Sequence, residues 1–229
     1  MEEKKIYTHK FAFVDKIGLE LEGGWEEQPS GYLIEGDASV RCNGNILGEV
    51  RTDPKSVLKE VFNEINTKYP DDIDQSCGMH IHVSTKKGVF FLLATDEFKD
   101  YFLKRMGVFA KYLRHSGNET DYKRFLARLN NSNRYCKRDF LPVEQLRHSD
   151  SRRTMLNFSA YREHGTVECR LMPMFEKISN ARMATYEVAD TFEQFLEHNQ
   201  HKLTEVEVDV TLNSEALMPE SSSLEVVCV

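Results

Sequence analysis

Four short segments of this chain place a charged or imidazole side chain at every second position of an otherwise apolar stretch. In GLELEGG, Gly18 to Gly24, Leu19 and Leu21 alternate with Glu20 and Glu22. GEVRT carries Glu49 and Arg51, CGMHIHVS sets His80 and His82 against Met79, Ile81 and Val83, and GTVECRLM carries Glu168 and Arg170. A period of two is the signature of a β-strand with one face buried. If the four strands share a sheet, their apolar faces build one side of a core and their polar faces converge on the other. Lys, Ser and Thr, the usual fillers of exposed strand faces, are nearly absent from these positions.

The rest of the pattern supplies the frame. The first strand is expected over Phe11 to Glu22, stopped by Gly23 and Gly24. Strands over Gly31 to Val40 and Ile46 to Thr52 read as a hairpin with Asn43-Gly44 at its tip. Asp53-Pro54 reads as a helix start, followed by a stripe of Val57, Leu58, Val61, Phe62 and Ile65 that ends near Pro70. Helices are predicted over Thr95 to Arg114 and Glu119 to Asn130, strands over Met155 to Tyr161 and Thr166 to Met172 joined by a turn at REHG, and a last helix capped by Ser179. TEVEVDVTLN, after Lys202, alternates cleanly and is expected to be an acidic edge strand.

Of 229 residues, 40% are hydrophobic and 29% charged, with a mean hydropathy of −0.52, the composition of a globular protein with ample core. With no internal repeat or linker, a single domain over residues 1–202 is expected, with 203–229 forming the edge strand and a mobile tail. The N-terminus, MEEKKIYTHK, has no signal-peptide core, and the longest apolar run, near Val89 to Ala94, is too short to span a bilayer, so a cytoplasmic protein is expected. Five scattered cysteines without CxxC spacing suggest reduced thiols. The net charge of −7 argues against nucleic acid as a partner. It is unevenly spread: Lys104 to Arg153 holds thirteen Lys and Arg against five Asp and Glu, a basic stretch suited either to a solvated helical surface or to an acidic partner.

Taken singly, the polar faces have ordinary explanations: a solvated E-x-E strand, a structural histidine pair, a same-face ion pair between Glu168 and Arg170. Taken together, Glu20, Glu22, Glu49, His80, His82, Glu168 and Arg170 put four carboxylates, two imidazoles and a guanidinium on one surface. Unpaired carboxylates cost several kcal/mol to bury, so a bound cation is the natural counterpart. Carboxylate oxygens with few thiols favour Mg²⁺ or Mn²⁺ over zinc. Arg170 is placed to grip a phosphoryl group beside a metal-holding Glu168. Trp25, the sole tryptophan, reads either as a substrate contact or as packing at the domain edge.

The ordered set GLELE, GEVRT, CGMHIHVS and GTVECRLMPMF, spanning about Ile17 to Phe175, resembles the amidoligase family, carboxylate-amine ligases of the glutamine synthetase superfamily. The resemblance implies an α+β fold: a curved, mainly antiparallel sheet with helices packed on one face and an active-site cleft on the other. It implies ATP and Mg²⁺ (or Mn²⁺) as cofactors, and carboxylate and amine substrates: amino acid, peptide or protein. Carried over by motif, Glu20, Glu22, Glu49, His80 and Glu168 are metal ligands. His80, His82 and Arg170 contact the nucleotide, and Glu49, Arg170, Asp37 and an upstream arginine serve catalysis. Arg153 fits that arginine best by position, with Arg152, Arg134 and Arg162 as rivals; Asp37, in YLIEGDAS, matches an acidic position near the amine. Cys169 stands where relatives usually carry an aromatic residue.

Two other classes compete. A zinc hydrolase would use the H-x-H pair and glutamates to activate water, though carboxylates outnumber histidines here. A non-catalytic binding module on the same fold would not need Glu20, Glu22, Glu49, His80, Glu168 and Arg170 all retained.

Overall fold

The computed structural model describes residues 9–86, 88–130, 136–137 and 153–202, and for 162 and 163 the backbone alone. The expected edge strand and tail after Lys202, and Arg134 and Arg152, lie outside these residues. The described chain is a mixed α/β structure. Its six strands, β1 (Val14–Trp25), β2 (Ile34–Glu35), β3 (Ile46–Arg51), β4 (Gly78–Thr85), β5 (Leu156–Asn157) and β6 (Thr166–Pro173), form an open antiparallel sheet in the order β2-β3-β1-β4-β6-β5.

Alternation decides which face is which. Leu19, Leu21, Met79, Ile81, Val83, Val167, Cys169 and Leu171 are all buried in one core cluster. That cluster is completed by helices α1 (Leu58–Lys68), α2 (Phe90–Leu93), α3 (Asp96–His115) and α4 (Glu119–Leu129), and by the long α6 (Ile178–Asn199). Between them runs α5 (Ala160–His164), a single short turn of helix. Phe98 of α3 sits with its ring centroid 4.8 Å from Phe192 and 5.0 Å from Phe195 of α6. Each such fully buried side chain stabilises the fold by about 1.5–3 kcal/mol. Among the described residues no helix is long and apolar enough to cross a membrane.

Capping sets the helix starts where the sequence offers good caps. Thr95 accepts from the Phe98 N–H and Asn118 from the Asp121 N–H, as the Thr95 and Glu119 boundaries anticipate. Asp53-Pro54 does not start a helix. Lys55 instead exchanges two backbone hydrogen bonds with Ile17, at 2.8 and 2.9 Å, so the chain stays extended beside β1 and α1 begins only at Leu58, leaving Val57 exposed. Nor does Ser179 cap α6, whose N-cap is Lys177.

Glycines 23 and 24 do not stop β1; the strand runs through them to Trp25. A Cβ on Gly24 would fall 1.8 Å from the Asn43 carbonyl oxygen, and one on Gly23 2.4 Å from Pro70 Cβ. They are therefore close-approach positions, over which the Asn43-Gly44 segment and the chain after α1 pack. The strand expected over Gly31 to Val40 shrinks to Ile34 and Glu35, paired with Val50 and Glu49, and a long connection replaces the tight hairpin. Met155 to Tyr161 likewise holds only the two strand residues of β5, and REHG closes α5, with Gly165 in the left-handed conformation at φ +66°.

One irregularity in register bears on the site. Met79 faces Met172 and Ile81 faces Cys169, so β6 carries one residue more than β4, and His80 is opposed by both Arg170 and Leu171. This is a β-bulge in the middle of the polar face.

Candidate active site

The polar face of the sheet forms the floor of a cavity of about 440 Å³. Register builds it. Glu20 pairs with His80 across β1 and β4 and with Arg51 across β1 and β3; Glu22 pairs with Glu49, and His82 with Glu168. Cβ atoms of directly opposed residues lie about 4.5–5.5 Å apart, so these side chains meet. Glu20, Glu22, Asp37, Glu49, His80, His82, Glu168 and Arg170 all line the cavity. Arg153 is exposed and is not among the lining residues. The side chain of its rival Arg162 lies outside the described set.

His80, 3% exposed, occupies the centre. Its Nδ1 lies 2.9 Å from Glu20 Oε2 and 3.4 Å from Glu168 Oε1, and its Nε2 lies 3.4 Å from Glu22 Oε1. Burial and the Arg170 charge push its pKa down, but the Glu20 hydrogen bond and the charges of Glu22 and Glu168 overcome them, and the net shift is upward. Glu20 is the reciprocal case. Burial raises its carboxyl, and the His80 hydrogen bond together with the charges of His80 and His82 holds it well below the usual carboxylate range. Glu49 moves upward through burial and the neighbouring Glu20 charge, with Arg51 opposing.

The ligand atoms gather into two groups. Glu20, His82 and Glu168 bring one donor atom each to within 4.8 Å of one another, and so do Glu22, Asp37 and Glu49. His80 belongs to neither group and stands between them. His82 belongs to the first: its Nε2 is buried, 3.3 Å from Glu20 Oε1, with no hydrogen-bond partner. Five carboxylates and one imidazole, with an orphaned buried nitrogen in the set, fit hard divalent cations. The charge balance points the same way, since six carboxylates and two arginines line the cavity.

Several contributors escape a strand-by-strand reading. Asn157 of β5 donates to Glu168 Oε2 at 2.6 Å and so fixes one triad member, while Arg170 donates to the other oxygen of the same carboxylate. Arg128, on α4 and 5% exposed, donates to the carbonyls of Cys77, Arg170 and Met172 at 3.0–3.2 Å, pinning the start of β4 to the bulge. The Gly78 N–H donates to Glu22 Oε2 beside it. Arg51 and Glu35 close the outer side. No periodicity marks Arg128 or Asn157, because their partners are backbone and neighbouring strands.

Trp25 is a packing residue. It is 2% exposed, donates through Nε1 to the Lys68 carbonyl at 3.2 Å, and joins Ile34 and Val50 in a small core of its own. Part of the basic stretch is also consumed internally: Arg105 bonds Glu187 and Asp190 of α6, and Arg124 lies 3.8 Å from Glu176.

No model of a known protein family matches the chain, and comparisons with curated proteins and with solved structures likewise return no match.

Proposed function

We propose that this chain is an ATP-dependent carboxylate-amine ligase with a glutamine synthetase-like active-site sheet, joining a carboxylate to an amine of an amino acid, peptide or protein. The observation that carries the reading is the pair of donor triads on one open sheet face, with Arg170 tied to a member of one of them. A reaction that passes a highly charged phosphoryl group to an anionic acceptor needs that concentration of cation sites.

In this reading Glu20, His82 and Glu168 would hold one Mg²⁺ or Mn²⁺, and Glu22, Asp37 and Glu49 a second, and the chemistry supplied there would be neutralisation of charge on the phosphate oxygens. His80, between the triads and within 2.9–3.4 Å of Glu20, Glu22 and Glu168, fixes their orientation. Arg170, its Nη1 held by Glu168 and its Nε without a hydrogen-bond partner, offers donors to the transferring phosphoryl group. A carboxylate oxygen of the substrate takes the γ-phosphoryl group and ADP leaves; the amine then attacks the acyl carbon and phosphate departs with its electron pair. Asp37, half-buried at the cavity wall, accepts the amine proton through the carboxylate oxygen it does not commit to the second group.

The test is product release. With ATP, Mg²⁺ and a panel of amino acids and peptides, ADP and phosphate are expected to form with a suitable acceptor pair and to disappear in Glu20→Ala and Arg170→Met. Zinc-dependent hydrolysis in the absence of ATP would replace this reading with the hydrolase.

A further inference from the structure

Arg51 stands out because its position, not its burial, makes it consequential. Its side chain is 56% exposed, yet its guanidinium reaches three carboxylates: Glu49 Oε1 at 2.7 Å, Glu20 Oε1 at 3.4 Å and Glu35 Oε2 at 3.4 Å. Glu20 belongs to one donor triad and Glu49 to the other, while Glu35 belongs to neither. Glu20 Oε1 is also the oxygen that lies 3.3 Å from the orphaned His82 Nε2. One exposed cation thus bridges both triads and occupies an oxygen of one carboxylate in each.

We propose that Arg51 is the exchangeable counter-ion of this site: it positions Glu20 and Glu49 in the metal-free protein and yields them on loading, so that it sets the divalent-ion concentration at which the centre fills. The inference rests on the metal-binding part of the reading above and needs no turnover. Two carboxylates held close repel, and a guanidinium relieves that repulsion in the free state. A divalent ion must therefore compete with a neutraliser already in place, and binding is weaker by whatever that neutraliser contributed. Glu35, outside both triads, keeps Arg51 at the rim after exchange, which makes the swap a short displacement of a flexible side chain. Arg170 cannot play this part, since among the described residues its ion pair is with Glu168, a member of one triad alone.

The experiment is calorimetric titration of the full chain with Mn²⁺ alone, comparing wild type, Arg51→Met and Arg51→Lys. Arg51→Met is expected to bind Mn²⁺ about tenfold more tightly, as befits the loss of a partly screened charge near the ligands. Arg51→Lys, which keeps the charge, is expected to stay within about twofold of wild type. A residue that merely braced the fold would change neither affinity, or would weaken binding in both variants. Should Arg51→Met fold poorly, Arg51→Gln is titrated in its place with the same expectation. Unchanged or weaker Mn²⁺ binding in the neutral variant overturns the proposal. Tighter binding in a protein that never turns over ATP would leave Arg51 as the counter-ion and dismiss the ligase instead.

Discussion

Nδ1 of His80 lies 2.9 Å from Oε2 of Glu20, directly across the β1–β4 pair, and each residue shifts the titration of the other toward the charged form. The pair makes metal-free stability depend on pH from both sides. Glu20, depressed from its ordinary 4.5, contributes stability that is present above that value and is lost as pH falls toward its folded pKa. His80, raised from its ordinary 6.5, contributes stability that is complete below that value and is lost as pH rises through its folded pKa. The groups facing His80 are Glu20, Glu22 and Glu168, with Arg170 opposing. Urea denaturation in chelator is therefore expected to show maximal stability between about pH 4.5 and 6.5 and to lose it on both sides. Glu20→Gln should remove the acid limb and reduce the alkaline one, which Glu22 and Glu168 also support; an unchanged profile would refute the coupling.

Two triads predict two ions. Mn²⁺ titration of wild type is expected to approach two equivalents, and Glu168→Ala and Glu22→Ala should each fall to one, since each removes a ligand from a single group. Loss of all Mn²⁺ binding in either variant alone would mean one shared ion.

Gly78 should matter beyond its size. A Cβ there would lie 3.0 Å from Arg128 Nη1, 3.0 Å from Glu22 Oε2 and 3.1 Å from His80 Nε2. Gly78→Ala is expected to fold, at a cost of about 1–3 kcal/mol from overpacking, and to weaken Mn²⁺ binding at the Glu22 group several-fold by displacing that carboxylate. Calorimetry beside thermal melting separates the two effects.

Far from the cavity, Glu193 of α6 is 3% exposed and accepts the N–H groups of Ala12, Phe13 and Val14, anchoring the start of β1. Glu193→Ala strands those donors and is expected to cost about 2–4 kcal/mol in chemical denaturation, with little change in Mn²⁺ affinity once folded.

What could be read ahead of the structure was whatever alternation encodes. Strand faces are local, so spacing alone assigns Glu20 with Glu22, His80 with His82 and Glu168 with Arg170 to the polar face of their strands; the shared sheet brings these faces and Glu49 together to line the cavity. What failed depended on distant neighbours. Gly23 and Gly24 looked like a stop because the chain that packs over them lies twenty to fifty residues away. Asp53-Pro54 looked like a cap because its competing partner, Ile17, lies on another strand. Arg128 was invisible among the charges of an amphipathic helix, since backbone carbonyls leave no trace in a sequence pattern.

The additional residue of β6 sets the phase of the strand's far end. Strict alternation from Glu168 would send residue 172 to the polar side; the bulge returns Met172 to face Met79 in the core instead. Straightening the strand with all its residues kept would not be a local change. It would exchange the destinations of everything beyond the bulge, leaving a thioether among carboxylates and Pro173 in place of a core side chain. The strand thus carries a fixed phase change at the one place where chemistry and packing trade sides, and its length is as much a part of the site as its charges.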